Sequence, residues 1–438
     1  MSIVEDTGKL LEHLFRHQSG RMVAHLVRLL GPAHLDIAEE AVQTAMLRAL
    51  ETWPYSGVPE NPPAWLFRVA HNSAIDVVRA NQRIGQKSNA LAADLSRTVA
   101  APLDPDLEEQ LRDDELRMMF MCCHPAIPRD SSVALSLKTV GGFSVREIAR
   151  AFLADETAVA QRIVRAKRQI REQHLTLELP RGSELDRRLD SVLEVLYFMF
   201  NEGYAAHEGE ALIRQDLCQE AVRLGQLIAS SSMTQPRVDA LVALMAFQAA
   251  RLPARTDQTG DLVLLEEQDR TLWDRHLVAV GFRHFDRSIG GNAVSPYHVQ
   301  AAIAATHARA AGEQDTDWPL ILELYDQLMA VSPSPVVALN RAVAVAKVEG
   351  PAEALRLVEL LAGDPKIQEY YLLWAVRGHL LRELDRHAEA AFCYRAALEC
   401  ACSAPEQRFL RRKLAECDPL RMPAEQEDQL DNQNHHHH

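Results

Sequence analysis

Apolar residues recur at spacings of three and four along nearly the whole of this 438-residue chain, and the alternating runs of a half-buried strand are almost absent. Val159, Ile163, Ala166 and Ile170 form one such stripe, and Leu66, Ala70, Ser73 and Val77 form another. A chain written in this period folds as packed helices, so the expected class is all-α. Its length exceeds what one core usually serves, which points to two or three domains. Apolar residues make up 47% and charged residues 25%, the balance of a soluble globular protein. The longest apolar stretches, such as Val192 to Phe200, are too short to span a bilayer. The opening residues, MSIVEDTGKL, put acids where a secretory leader would put bases. Seven scattered cysteines fit reduced thiols. A cytoplasmic chain with no membrane partner is expected.

Polar and helix-breaking stretches divide the chain. Residues 1–83 make a first helical domain, and 84–105, polar and rich in small residues, make a linker. A second helical unit covers 106–175 and a third 183–416. A polar tail, 417–438, ends in four histidines that read as the remnant of a purification tag. The net charge is −14, yet residues 1–171 hold 21 basic and 21 acidic residues, so the acidic excess lies entirely beyond them. A neutral front half can gather its bases on one face, whereas the acidic back half is a poor partner for phosphates. In that back half Gly350-Pro351-Ala352-Glu353-Ala354-Leu355 is echoed by Asp385-Arg386-His387-Ala388-Glu389-Ala390. Ala390, Tyr394 and Ala397 then reproduce the small–aromatic–small spacing of a tetratricopeptide (TPR) second helix, which implies stacked helix pairs.

The sharpest local pattern lies between Gly141 and Arg171. Gly141-Gly142 breaks the preceding helix, and Ser144 with Glu147 forms a capping box. After a brief turn, Asp155 and Glu156 sit where the positive end of a second helix favours acids. That helix buries Val159, Ile163, Ala166 and Ile170, with Gln161, Arg165 and Arg168 opposite and Arg162 and Lys167 beside them. From Thr157 to Arg171 it has five bases and no acid. This is a helix-turn-helix with a face suited to the major groove. The competing view, a solvated basic face on an ordinary hairpin, does not account for the order of cap, turn and acid-free helix.

Three further helices are expected at Leu10–Leu30, Asp36–Trp53 and Pro62–Gln82, the last capped by Asn61. The second is apolar on more than one side, with Val42, Ala45 and Ala49 set against Leu47 and Leu50, a surplus that calls for a partner protein. The third carries Arg68, Asn72 and Arg79 on the face opposite its buried stripe, although Ile75 interrupts that face. Cys122-Cys123-His124 lacks the spacing of a zinc box, and buried thiols are expected there. Gln268-Asp269-Arg270 reads as a network fixing helix packing. No nucleophile–base pair, phosphate loop or cofactor motif stands out, so neither an enzyme nor a cofactor is expected.

Glu39-Glu40-Ala41-Val42-Gln43 with Leu47-Arg48-Ala49, then Pro63 to Ala70 and Asp76-Val77-Val78-Arg79, resemble region 2 of extracytoplasmic-function (ECF) sigma factors. Gly141 to Ala149, with Gln161-Arg162 and Arg165-Ala166-Lys167, resemble their region 4. Phe200 to Tyr204, Glu266 to Arg270, Gln300 to Ala304 and Ser334 to Ala342 are similar to a subgroup with a C-terminal TPR-type extension. The resemblance implies a chain that binds core RNA polymerase and directs promoter recognition. Glu39, Glu40, Gln43 and Leu47 would meet the β′ clamp helices. Arg68, His71, Asn72 and Arg79 would hold the melted minus-ten strand. Thr157, Gln161, Arg162, Arg165, Lys167 and Arg168 would read the minus-thirty-five duplex, and region 4 would also meet the β flap. The extension would modulate activity, through a peptide or protein partner in its groove. The alternative is a polymerase-independent helix-turn-helix regulator with a C-terminal sensor.

Overall fold

The computed structural model describes residues 3–84, 107–152, 154–204, 211–291, 293–400 and 402–417, so the linker expected at 84–105 lies, but for Ile84, outside the described residues. The described residues are helical, with one isolated bridge between Thr256 and Leu262 and no strand. They form two compact units, one running to residue 204 and continuing over 212–238, the other from 239 onward.

The first unit opens with α1 (Ile3–Leu30), α2 (Leu35–Ser56) and α3 (Pro62–Ile84). Asn61 starts α3 as expected: its Oδ1 accepts from the Ala64 amide at 3.1 Å, and two prolines follow where no amide is needed. Trp53 closes the bottom of this bundle, buried edge-on against the Trp65 ring 5.4 Å away. Next come α4 (Leu107–Cys122), α5 (Arg129–Thr139), α6 (Val145–Ala151) and α7 (Glu156–Glu172). Helix α5 is buried on nearly every side. Two of its hydroxyls are spent internally: Thr139 donates to the Leu135 carbonyl at 2.8 Å, and Ser136 meets the Cys123 thiol. Cys122 and Cys123 are the expected buried thiols, and burial pushes Cys123 up to about 12.

Helices α8 (Ser183–Tyr204) and α9 (Ala211–Ala229) were expected to open a separate domain, but both belong to the first unit. Arg188 of α8 donates to the Phe120 carbonyl at 2.8 Å, and Phe198 stacks on Phe152 at 6.3 Å beneath the Arg129 guanidinium. Within the apolar run from Val192 to Phe200, Val192, Leu193, Val195, Leu196, Met199 and Phe200 are buried.

Most of α10 (Pro236–Ala250) belongs to the second unit, followed by α11 (Arg275–Ser288), α12 (Pro296–Arg309), α13 (Trp318–Val331), α14 (Pro335–Glu349), α15 (Pro351–Leu361), α16 (Pro365–Gln368), α17 (Tyr371–Glu383), α18 (His387–Glu399) and α19 (Ala404–Ala415). Two helix pairs repeat: α14 and α17 begin 36 residues apart, and so do α15 and α18. Ala390, Tyr394 and Ala397 are buried. Tyr394 lies so close to α17 that a Cβ at Gly378 would stand 3.1 Å from its ring, which is why that position has no side chain. Between α10 and α11 the chain crosses this unit as a strap without α-helix, residues 251–274. Arg270 anchors the strap's far end. Its guanidinium donates to the carbonyls of His307 (2.8 Å) and Ala310 (3.0 Å) at the close of α12 and to Thr316 Oγ1 (2.9 Å). The Gln268–Arg270 segment is therefore structural, as read from the sequence.

Candidate nucleic-acid interface

Helix α6 starts on the capping box read from the sequence: Ser144 Oγ accepts from the Glu147 amide, and Glu147 accepts from the Ser144 amide at 2.7 Å. Asp155 caps α7, accepting from the Thr157 amide at 2.5 Å; that bond holds its carboxyl below the usual range. Val159, Ile163, Ala166 and Ile170 are buried, and Thr157, Gln161, Arg165 and Arg168 are exposed on the other side. Val164, 62% exposed, shares that outer face. Sequence reading passed over it because an apolar residue off the buried stripe carries no charge signal, although an apolar side chain is what meets a thymine methyl.

Three expected DNA contacts are paired within the protein, the exposed Arg168 with Glu172 one turn along α7 at 3.7 Å. Arg162 pairs with Asp130 at 3.3 Å. Lys167, only 11% exposed, pairs with Asp36 at 2.6 Å and Glu39 at 2.7 Å. Burial alone would lower its pKa, yet the Glu39 and Asp36 carboxylates hold the ammonium above its usual range, so it stays charged. Arg171 adds a longer contact to Asp36. A base expected on DNA and an acid expected on polymerase therefore neutralise one another.

On α3, Arg68, Asn72 and Arg79 are exposed, with Asp76 among them. His71 departs from expectation. It is 4% exposed, turned in beside Phe67 and His25, and burial together with His25 lowers its pKa. A neutral, enclosed imidazole offers nothing to a phosphate. Ile75, which had looked like a break in the outer face, is buried as well. On α2, Glu40 and Gln43 are exposed, Glu39 is half-buried, and Leu47 stands 59% exposed beside exposed Leu50.

A second contact between the α1–α3 bundle and the helix-turn-helix was not anticipated. Asp114 of α4 is buried between His25 Nδ1 (2.8 Å) and Arg28 Nε (2.9 Å). Its neighbour Glu115, also buried, accepts from Arg21 at 3.2 Å and from Arg223 of α9 at 2.6 Å. One signal was available: Arg21, His25 and Arg28 lie at spacings of four and three, one face of a helix. Among the described residues no group of three metal-ligating side chains converges, and no helix is long and apolar enough to cross a membrane.

The model of sigma-70 region 2 matches residues 14–84, and that of sigma-70 region 4 matches 117–170. The ECF RNA polymerase sigma factor SigE of Mycolicibacterium smegmatis is 27% identical over 161 residues, 37% of this chain and 60% of that protein. The chain is an ECF-type sigma factor. An uncharacterized protein of Rhizobium meliloti is 42% identical over 382 residues, 87% of this chain and 90% of its own length, and the two belong to one family. This sigma factor also carries, over 188–289, a match to a family of unknown function (DUF6596). Its two sigma regions account for binding to core RNA polymerase and to promoter DNA.

Proposed function

We propose that this sigma factor docks on the β′ clamp helices through α2, with Glu40, Gln43 and Leu47 in contact and Glu39 joining them once Lys167 lets go. Arg68, Asn72 and Arg79 then hold the melted minus-ten strand. Thr157, Gln161, Arg165 and Arg168 face the minus-thirty-five duplex, with Val164 against a thymine methyl and region 4 against the β flap. The observation that carries this reading is the outer face of α7: exposed, basic, capped, and without an acid from Thr157 to Arg171. The Lys167–Asp36–Glu39 cluster makes the described arrangement a resting one, because binding both partners requires the cluster to part. The protein with core polymerase should yield promoter-specific transcripts. Leu47→Glu should weaken core binding roughly tenfold, the scale of one interface anchor, without changing circular dichroism. Wild-type core affinity in that variant would remove α2 from the docking surface.

The second unit is proposed as a TPR-type solenoid that modulates initiation by engaging a peptide or protein partner. The 36-residue offset of its helix pairs and the buried Ala390–Tyr394–Ala397 spacing support this. A cut after residue 179 is the obvious test, but it would strip α8 from Phe120 and Phe152. Ending the chain at Gln235 keeps α8 and α9 in place. Run-off yield from that shorter chain should change at least threefold relative to full length; equal yields would reduce the second unit to a scaffold.

A further inference from the structure

The second unit holds a partly open cavity of about 250 Å³ between the strap and the inner faces of α14, α17 and α19. Leu264 and Leu265 of the strap form one wall; Val343, Val376, Leu380 and Phe409 supply much of the rest. Water finds few partners among such walls, whereas apolar matter is well received.

We infer that this cavity is a binding site for a neutral, apolar small molecule of two or three rings, roughly ten to seventeen non-hydrogen atoms. Size comes from the volume. Neutrality comes from the walls and from the two lysines on them, which already have carboxylate partners. Lys347 pairs with Glu266 at 2.6 Å and Glu313 at 3.3 Å, and Lys413 with Glu416 at 3.3 Å and Glu267 at 3.9 Å. An anionic ligand would be desolvated there without a free positive charge, and any ion would lose its water among apolar side chains. Aromatic character is favoured by the rings of Trp318, Tyr394 and Phe409 on the same walls. The strap is the way in. It carries two of the wall's leucines and has no helical ladder of its own. It is held to α14 and α19 by ion pairs, including Asp261 with Arg408 at 2.6 Å and Arg412 at 3.5 Å. Such pairs break and re-form at little net cost, which lets the wall open without unfolding the helices.

The test is titration of the full chain with N-phenyl-1-naphthylamine, a neutral fluorescent probe of this size. Saturable one-to-one binding is expected, with energy transfer from tryptophan. Ala346→Phe, which places a ring in the cavity, should weaken binding at least tenfold while circular dichroism stays unchanged; Val376→Phe serves if that variant fails to fold. Leu47→Glu, which alters an exposed apolar surface elsewhere, should bind as wild type. The anionic analogue 8-anilinonaphthalene-1-sulfonate should bind at least tenfold more weakly. Any of four results overturns the inference: no saturable binding, wild-type affinity in both folded cavity-filling variants, loss of binding in Leu47→Glu, or stronger binding of the anion.

Discussion

Replacing Gln161 and Arg165 together by alanine should lower promoter affinity of the polymerase complex about a hundredfold while leaving its assembly unchanged. Both side chains lie on the exposed stripe of α7, one turn apart. A well-placed bidentate base contact contributes roughly 1–3 kcal/mol, so two give about 2–6 kcal/mol, and a hundredfold is a conservative figure within that range. Neither residue is buried, and substitutions at exposed sites usually shift stability by about 0.5 kcal/mol or less. The expected signature is therefore weak promoter binding with unaltered melting temperature and core affinity. Salt dependence divides the roles further. If Arg165 contacts phosphate, its removal reduces the slope of log affinity against log salt by about one; if it reads a base, the slope stays. Wild-type promoter affinity in the double variant would move recognition off this face. Arg162 and Lys167 are poorer choices for the experiment, because removing either also breaks an internal ion pair and mixes two effects.

Wherever one short segment decided the outcome, the structure was legible in the sequence. The capping box at Ser144, the Asn61 cap and the stripe from Val159 to Ile170 each depend on neighbours a few residues away, and each stands where expected. What escaped depends on distant partners. Asp114 and Glu115 sit in an acidic run that by itself reads as solvated; only α1, 86 to 94 residues earlier, makes their burial tolerable. The resemblance set His71 on the melted strand, but it is buried with its ring beside Phe67. Lys167 followed the basic pattern correctly, and the pattern could not say that Asp36 would reach it first. The strap carries no periodicity, so its role in walling a cavity is visible only once α14, α17 and α19 stand around it.

Those distant pairings make Gly20→Ala the most disruptive small change available to the first unit. A Cβ at Gly20 would lie 2.0 Å from the Val140 carbonyl oxygen, far inside contact distance, and the obstacle is backbone at the end of α5 that no rotamer change can move. Helix α1 must therefore back away from α5 along the line where Arg21, His25 and Arg28 meet Asp114 and Glu115. Overpacking alone costs about 1–3 kcal/mol. Separating buried charges from their partners adds to that, since breaking a buried pair costs roughly 3–5 kcal/mol unless water reaches both groups. The favoured escape is parting of the two sigma regions, with water entering between them and Lys167 drawn off Asp36 and Glu39. Amide exchange should then accelerate across α1 and α4 while α14 to α19 keep wild-type protection, and core polymerase should bind faster because less remains to be opened. Asp114→Asn, which keeps the shape and removes the charge, should move both measurements the same way by a smaller amount. Wild-type exchange in Gly20→Ala would mean that α1 and α5 do not meet at this glycine. Faster exchange with slower core binding would mean that the joined arrangement is the one polymerase accepts.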